Sequence, residues 1–394
     1  MFNRRTLFGA SAATASLLST RWAIGSAHAA TSPAYDIEPR GTVGRLERLP
    51  FLDLESQHDY YIGFRQWVGA NMFARARERM VELVTQKGLD PESDVELSQL
   101  LELVENDPIV TSSVRAWVSS QQLTWKLIQD AFHGAADTYL AEMEAADKAG
   151  PGTLELNPDM AIPDYAKHEI HIQPGGYVGD PFAGHINYYG VNVFYQGHNN
   201  QDEVQIDIAS KVLTPAGNQV NRILDMGCGV GRMTQALKER FPQAEVWGID
   251  VGGPMVRFAH MRAAELGIDV NFAQRLAEEA KFPDDHFDVV TSYIMFHEVS
   301  PEAADQIVAE AYRILRPGGV FFPIDFASGK QAPPMNAYRR FSLWWDHRWN
   351  NEVWRPKYYE RDFGDLIAAA GFDVDETVAP ARRGHGGILA TKPV

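Results

Sequence analysis

The stretch Arg222-Ile223-Leu224-Asp225-Met226-Gly227-Cys228-Gly229-Val230-Gly231-Arg232 sets an apolar run directly before three glycines at alternate positions. It reads as a buried strand that breaks into a tight turn, with a helix following. Glycine lacks the Cβ that would block close approach, and it tolerates the positive φ angles such a crossover needs. A turn of this kind lets a ligand lie against bare backbone at the end of a strand.

The spacing narrows the ligand. Dinucleotide folds use GxGxxG, whose third glycine permits close helix–strand packing near the pyrophosphate. Here that position is Arg232, and the glycine comes one residue early at Gly231, which argues against an NAD enzyme. A second strand should end, roughly 20 residues on, in an acidic side chain able to hold ribose hydroxyls. Glu245-Val246-Trp247-Gly248-Ile249-Asp250 supplies it. The GxGxG turn behind Asp225, followed by a strand ending in Asp250, resembles the class I S-adenosylmethionine (SAM) dependent methyltransferases. Three further segments resemble later parts of that family in the same order: Phe282 to Val290, Tyr312 to Val320, and Ala368-Ala369-Ala370-Gly371-Phe372.

The resemblance implies an α/β, Rossmann-like fold: a doubly wound, mostly parallel seven-stranded sheet whose last strand runs antiparallel. Strands are expected over 222–226, 245–250, 270–273, 287–292, 319–325, 373–378 and 387–391, with Ser300 as N-cap and Pro301 as first residue of an intervening helix. It also implies SAM as cofactor, lined by Gly227, Gly229 and Gly231. Asp225 would support its amino-acid end, Asp250 its ribose, and Leu276 and Ala277 would flank its adenine. Many members carry an aspartate where this chain has Leu276, so adenine recognition departs from the family pattern. His297, after the fourth of these strands, is the expected catalytic residue, as a base or as a substrate-orienting group; the alternative is that it caps a helix or supports the loop.

Ahead of this domain the pattern is helical. Val114, Trp117, Val118, Gln121, Trp125 and Ile128 recur at helical spacing and place a largely apolar stripe on one face. Residues 60–87 also read as helix, stopped by Gly88, and Gly150-Pro151-Gly152 ends the helical region. The expected organisation is a signal over 1–30, a helical domain over 31–156 opening on a tether, a Tyr/His-rich cap and connector over 157–215, and the SAM-binding domain over 216–394. An aromatic insertion lies at 327–356.

Asp and Glu number 52 against 36 Lys and Arg, a net charge of −16. Such a surface repels phosphate backbones and anionic lipid, which excludes nucleic acid as the expected partner in favour of a small molecule. Arg4-Arg5 precedes an Ala/Ser-rich apolar run and a small-residue site at Ala27-His28-Ala29. This resembles a bacterial twin-arginine signal, implying export to the periplasm, with a cytoplasmic pool as the alternative. The run is too short to span a bilayer. Cys228, the one cysteine in the chain, is expected as a small residue beside the cofactor in preference to a nucleophile.

Tyr177, His185, Tyr188 and Tyr189, with Tyr195, are expected to form a lid over the site, and Trp344 and Trp345 an acceptor pocket. The same tryptophans could instead glue the helical region to the catalytic domain. His168 and His171 have HxxH spacing, but with no accompanying cysteine or HExxH pattern, His168, His171, His185 and His198 are expected to be hydrogen-bonding residues rather than metal ligands. The expected function is methyl transfer from SAM to a small aromatic or hydrophobic metabolite. The competing expectation is a SAM-binding sensor or scaffold that transfers nothing.

Overall fold

The computed structural model describes residues 45, 49, 51–217 and 219–394. The signal-like segment over 1–30 lies outside them, as does the tether apart from residues 45 and 49. An eight-stranded sheet organises the chain: β1 (Leu154–Glu155), β2 (Arg222–Met226), β3 (Glu245–Asp250), β4 (Asn271–Gln274), β5 (Phe287–Tyr293), β6 (Leu315–Ile324), β7 (Asp373–Asp375) and β8 (Leu389–Thr391). Their spatial order is β1-β4-β3-β2-β5-β6-β8-β7. All neighbours up to β6 are parallel, and β8 is antiparallel to both β6 and β7. The doubly wound sheet with an antiparallel last strand is therefore as expected.

The sheet has one strand more than expected. β1 is two residues long and carries no alternation that a sequence could reveal, yet it pairs with β4 as Leu154↔Phe272 and Glu155↔Ala273. Its approach is possible because residue 152 is glycine. A Cβ there would lie 1.8 Å from the carbonyl oxygen of Val270. The predicted strand ends shift by a few residues: β6 begins at Leu315 rather than 319, and β7 and β8 are shorter than expected.

Both faces of the sheet are covered, which is why β2 and β5 read as continuous apolar runs. Leu224, Met226, Val290 and Phe321 point to one core, against Ile307, Ile314 and Ile367. Ile223, Val289 and Phe322 point to the other, against Leu237, Val256 and Ile208. Helix Pro301–Ile314 begins as predicted, with the Ser300 side chain accepting from the backbone N of Ala303.

The helical region packs on this sheet through the cap. Helix Pro108–Gly134 starts at Asp107, whose carboxylate accepts from Ile109 N and Val110 N. Its buried stripe places Trp125, Ile128 and Phe132 against Phe182, Ile186, Tyr188 and Tyr189, which in turn meet Met255 and Phe258. The helix predicted over 60–87 is present as Leu52–Trp67 and Phe73–Gln86, joined by a π-helical turn at Val68–Met72. Arg65 is fully buried beside that turn. It donates to Trp117 O, Ser120 Oγ and Gln121 Oε1, and its guanidinium lies 3.3 Å from the centroid of the Trp117 ring. Three hydrogen bonds and the indole face thus replace the water this cation gives up.

Candidate functional site

Strand order reverses around β2, whose neighbours β3 and β5 lead away in opposite directions. Open α/β sheets bind ligands at such a switch point, outside the carboxyl ends of the strands. A cavity of about 580 Å³ lies there. The turn after β2 and the loop after β5 form its floor; Tyr165, His171, Tyr177 and Phe194 of the cap, Trp117 of the helical region, and Trp345 and Glu352 of the insertion form its walls.

The three glycines of the turn do different things. All have positive φ, at 70°, 52° and 76° for Gly227, Gly229 and Gly231. A Cβ at Gly227 would meet Met295 Sδ at 2.6 Å, and one at Gly231 would meet Phe272 Cζ at 2.7 Å and Ala259 Cβ at 2.8 Å. At Gly229 the nearest atom is Met255 Cε, 3.9 Å away. Gly229 therefore offers bare backbone to the cavity. Gly231, expected to line the cofactor, instead lets helix Arg232–Arg240 settle against the sheet and does not line the cavity.

Asp250 holds the turn in place. Its carboxylate accepts from Gly229 N at 2.9 Å and Gly252 N at 2.8 Å, while Ile249 O accepts from Gly227 N and Cys228 N. Asp225 is buried at 1 % exposure. Oδ2 accepts from Thr234 Oγ1 at 2.7 Å, and Oδ1 has no partner. Burial, helped by the charge of Asp250 and opposed by Thr234, pushes the Asp225 carboxyl up to about 7. Burial also keeps the Cys228 thiol well above its usual range, with Asp250 and Asp225 adding to the effect. A thiol so held stays protonated, which supports its reading as a small wall residue.

His297 stands on a 3₁₀ turn, Phe296–Glu298, immediately after β5. Asp325 at the end of β6 fixes it: Asp325 Oδ2 accepts from the backbone N of Phe296 and of His297, and Oδ1 lies 2.7 Å from His297 Nδ1. The other ring nitrogen, Nε2, is 3.3 Å from Glu298 Oε1. Burial would lower the His297 pKa, but the charges of Asp325 and Glu298 outweigh it and hold the imidazole well above its usual range. Both ring nitrogens thus face carboxylates, which favour the protonated imidazole. Of its two expected roles, orienting fits this geometry.

Several expected site residues lie away from the cavity. His185 is enclosed by Phe132, Phe182 and Phe258, and burial takes it down to about 3, so it is a neutral core residue. Tyr188 receives the guanidinium of Arg232 over its ring at 4.4 Å, and its hydroxyl accepts from Arg262 Nε and donates to Arg45 O. Tyr189 packs on Phe132, and its carbonyl lies 3.0 Å from His58 Nε2. Tyr188 anchors the cap to the sheet domain and Tyr189 ties it to the helical region, and neither closes over a ligand. Trp344 packs with Phe341 beside a separate 210 Å³ cavity near Val114 and Val118. Leu276 is bridged to Glu279 outside the main cavity, which Ala277 does line. Tyr177, Tyr195 and Trp345 do face it. The aromatics of the insertion also pack on the helical region, Phe341, Trp344 and Trp345 clustering with Val84, Val104 and Val118, while Arg340 pairs with Asp94 and Asn336 with Glu92.

The four cap histidines do not assemble. His198 is exposed, His185 lies among core aromatics, and His168, close enough to His171 and Glu352 to feel their charges, does not line the cavity. Only His171 reaches the cavity, where it meets Glu298 and Glu352. Sequence inspection missed these two carboxylates, because nothing in their local pattern marks them.

Residues 223–319 match the sequence model of a methyltransferase domain. Over that segment the chain is similar to methyltransferase domains. It is 37 % identical over 117 residues to a demethylmenaquinone methyltransferase of Thermus thermophilus, which is 30 % of this chain and 50 % of that protein. It is 30 % identical over 125 residues to a ubiquinone/menaquinone biosynthesis C-methyltransferase of Psychromonas ingrahamii, covering 31 % and 49 % of the two chains. A ubiquinone biosynthesis O-methyltransferase of Pseudomonas entomophila is 37 % identical over 103 residues, covering 26 % and 43 %. The chain spans about half the length of these curated relatives. The matched domain holds the glycine turn, Asp250 and His297, whereas His171, Trp345 and Glu352 lie outside 223–319.

Two outcomes follow from this geometry. Gly231→Ala should lower unfolding free energy in urea by about 2–4 kcal/mol, through overpacking added to backbone strain, while Gly229→Ala should cost only about 1 kcal/mol of strain. Asp225, raised in the folded state, adds stability that is complete below the ordinary carboxylate range and is lost as pH rises through about 7. Wild-type stability relative to Asp225→Asn should therefore fall by up to about 4 kcal/mol between about pH 4 and about pH 8. A constant difference across that range would disprove the assignment.

Proposed function

We propose that this protein is a SAM-dependent methyltransferase acting on a small aromatic or hydrophobic metabolite. One observation carries the reading: a single cavity joins the Asp250-clamped glycine turn to a wall holding the Asp325-fixed His297. The turn suits SAM on two counts. The unpartnered Asp225 Oδ1 is a buried acceptor for an ammonium group, and the open side of Gly229 leaves room for a ligand against backbone. Asp250 retains acceptor capacity for ribose hydroxyls beyond its two backbone bonds.

Bound there, SAM supplies an activated methyl group on a positively charged sulfur. The protein's main task is then alignment of the acceptor atom with the methyl carbon and sulfur. Trp117, Phe194 and Trp345 provide flat apolar walls for an aromatic acceptor and help exclude water. His297 orients it. SAM held there would give its methyl group to the acceptor atom, and the proton of a hydroxyl acceptor would leave towards the Glu298 carboxylate beside His297. The three relatives are named for methylation in quinone biosynthesis, which supports an aromatic acceptor.

Labelled SAM incubated with quinol-type phenols and with host metabolite extract should give a labelled product that Asp250→Ala abolishes. His297→Asn should lower kcat about a hundredfold while leaving the Kd for SAM within about twofold. SAM binding without label transfer to any acceptor would instead establish the sensor reading. Export by the twin-arginine route belongs to the same proposal, supported by Arg4-Arg5 and Ala27-His28-Ala29. Cell fractionation should recover the protein in the periplasm, and Arg4→Lys with Arg5→Lys should retain it inside; equal distributions would reject export. No described helix is long and apolar enough to cross a membrane.

A further inference from the structure

The wall opposite the glycine turn holds more buried acid than its neighbours neutralise. His171 Nδ1 lies 2.5 Å from Glu352 Oε1, and His171 Nε2 lies 3.7 Å from Glu298 Oε1. One ligand atom from each of the three side chains falls within 4.8 Å of the others. Glu352 is 1 % exposed and the Glu298 side chain 12 %. The remaining oxygens, Glu298 Oε2 and Glu352 Oε2, are both buried without a hydrogen-bond partner. Two carboxylates with unpaired buried oxygens are costly unless a cation completes them. His297 is shared between Asp325 and Glu298 Oε1, and Arg355 is engaged with Asp346.

The backbone fixes this arrangement. His171 and Ile172 both have φ of 52°, a conformation that is strained for a side chain other than glycine and especially for a β-branched one. Gln121 Nε2 and Trp125 Nε1 hold it by donating to the carbonyl of His171, at 2.6 and 2.9 Å. Strain at two successive residues, held by two donors from another helix, turns the imidazole towards the two carboxylates. Glu298 in turn neighbours His297, whose far nitrogen is fixed by Asp325. Carboxylate-oriented histidines of this kind commonly surround metal centres.

We propose that His171, Glu298 and Glu352 form a divalent transition-metal site in the acceptor end of the cavity. One imidazole nitrogen with two carboxylates suits zinc, manganese, iron or cobalt better than magnesium or calcium, which favour all-oxygen sets. Three protein ligands leave positions open towards the cavity. There the cation would hold an oxygen of the acceptor and make its proton easier to lose, so that Glu298 need not take it. That role rests on the methyl-transfer reading, whereas occupancy of the site does not.

Metal binding therefore tests it directly. The full chain, stripped with EDTA and titrated with Co²⁺ alone, should bind one equivalent with visible d–d absorption, and its Tm should rise with Co²⁺ concentration. Glu352→Gln and His171→Asn should each weaken binding by at least about tenfold. Retained SAM binding in these variants would show that they fold, independently of any transfer activity. Asp362, Asp365 and Glu376 form a second, more exposed acidic group, so Asp365→Asn is the control. Absence of saturable Co²⁺ binding, or binding weakened by Asp365→Asn but not by Glu352→Gln, would overturn the proposal.

Discussion

The carboxylate of Asp250 ties three parts of the molecule together. By accepting from Gly229 N and Gly252 N it joins the turn after β2, the end of β3 and the start of helix Gly253–Leu266. Backbone donors in a turn of positive-φ residues have no ladder partner, so one side chain with two oxygens supplies what a strand would otherwise provide. With the turn held, Gly229 faces the cavity and the unpartnered oxygen of Asp225 lies beneath it. Everything placed above, from the cap to the insertion, closes on that fixed floor.

The rest of the cavity is assembled from distant pieces. Helix Pro108–Gly134 contributes Trp117 to the wall, and through Gln121 and Trp125 it also sets the backbone of His171. The insertion adds Trp345 and Glu352, while the loop after β5 adds His297 and Glu298. Charges act on one another across these segments. Burial would lower His171, but Glu352 and Glu298 hold it above its usual range, and His171 in turn brings Glu352 down to about 2 despite burial. The helical region is thus part of the site as well as its support.

Residues whose roles depend on local geometry were legible before the fold was known. The turn from Gly227 to Gly231, Asp250 at a strand end and Ser300 before Pro301 each follow from backbone constraints carried by a few adjacent residues. Aromatic and histidine content in the cap was legible too, but not its direction. Tyr177 and Tyr195 face the cavity while His185, Tyr188 and Tyr189 face the core. Which side a residue of a short helix presents is decided by the partner that covers it, here Phe132 and Phe258. Trp344 and Trp345 divide in the same way on successive positions of one helix.

The nucleotide-type floor, the parallel sheet and the place of His297 at a strand end follow from residue order alone, because glycine stereochemistry and strand periodicity act over a handful of residues. That Gly231 serves packing, that β1 joins the sheet through Gly152, and that His171, Glu298 and Glu352 meet emerges from the folded chain. Those outcomes depend on contacts between segments far apart in the chain, and no local pattern of residue types records which of them will touch.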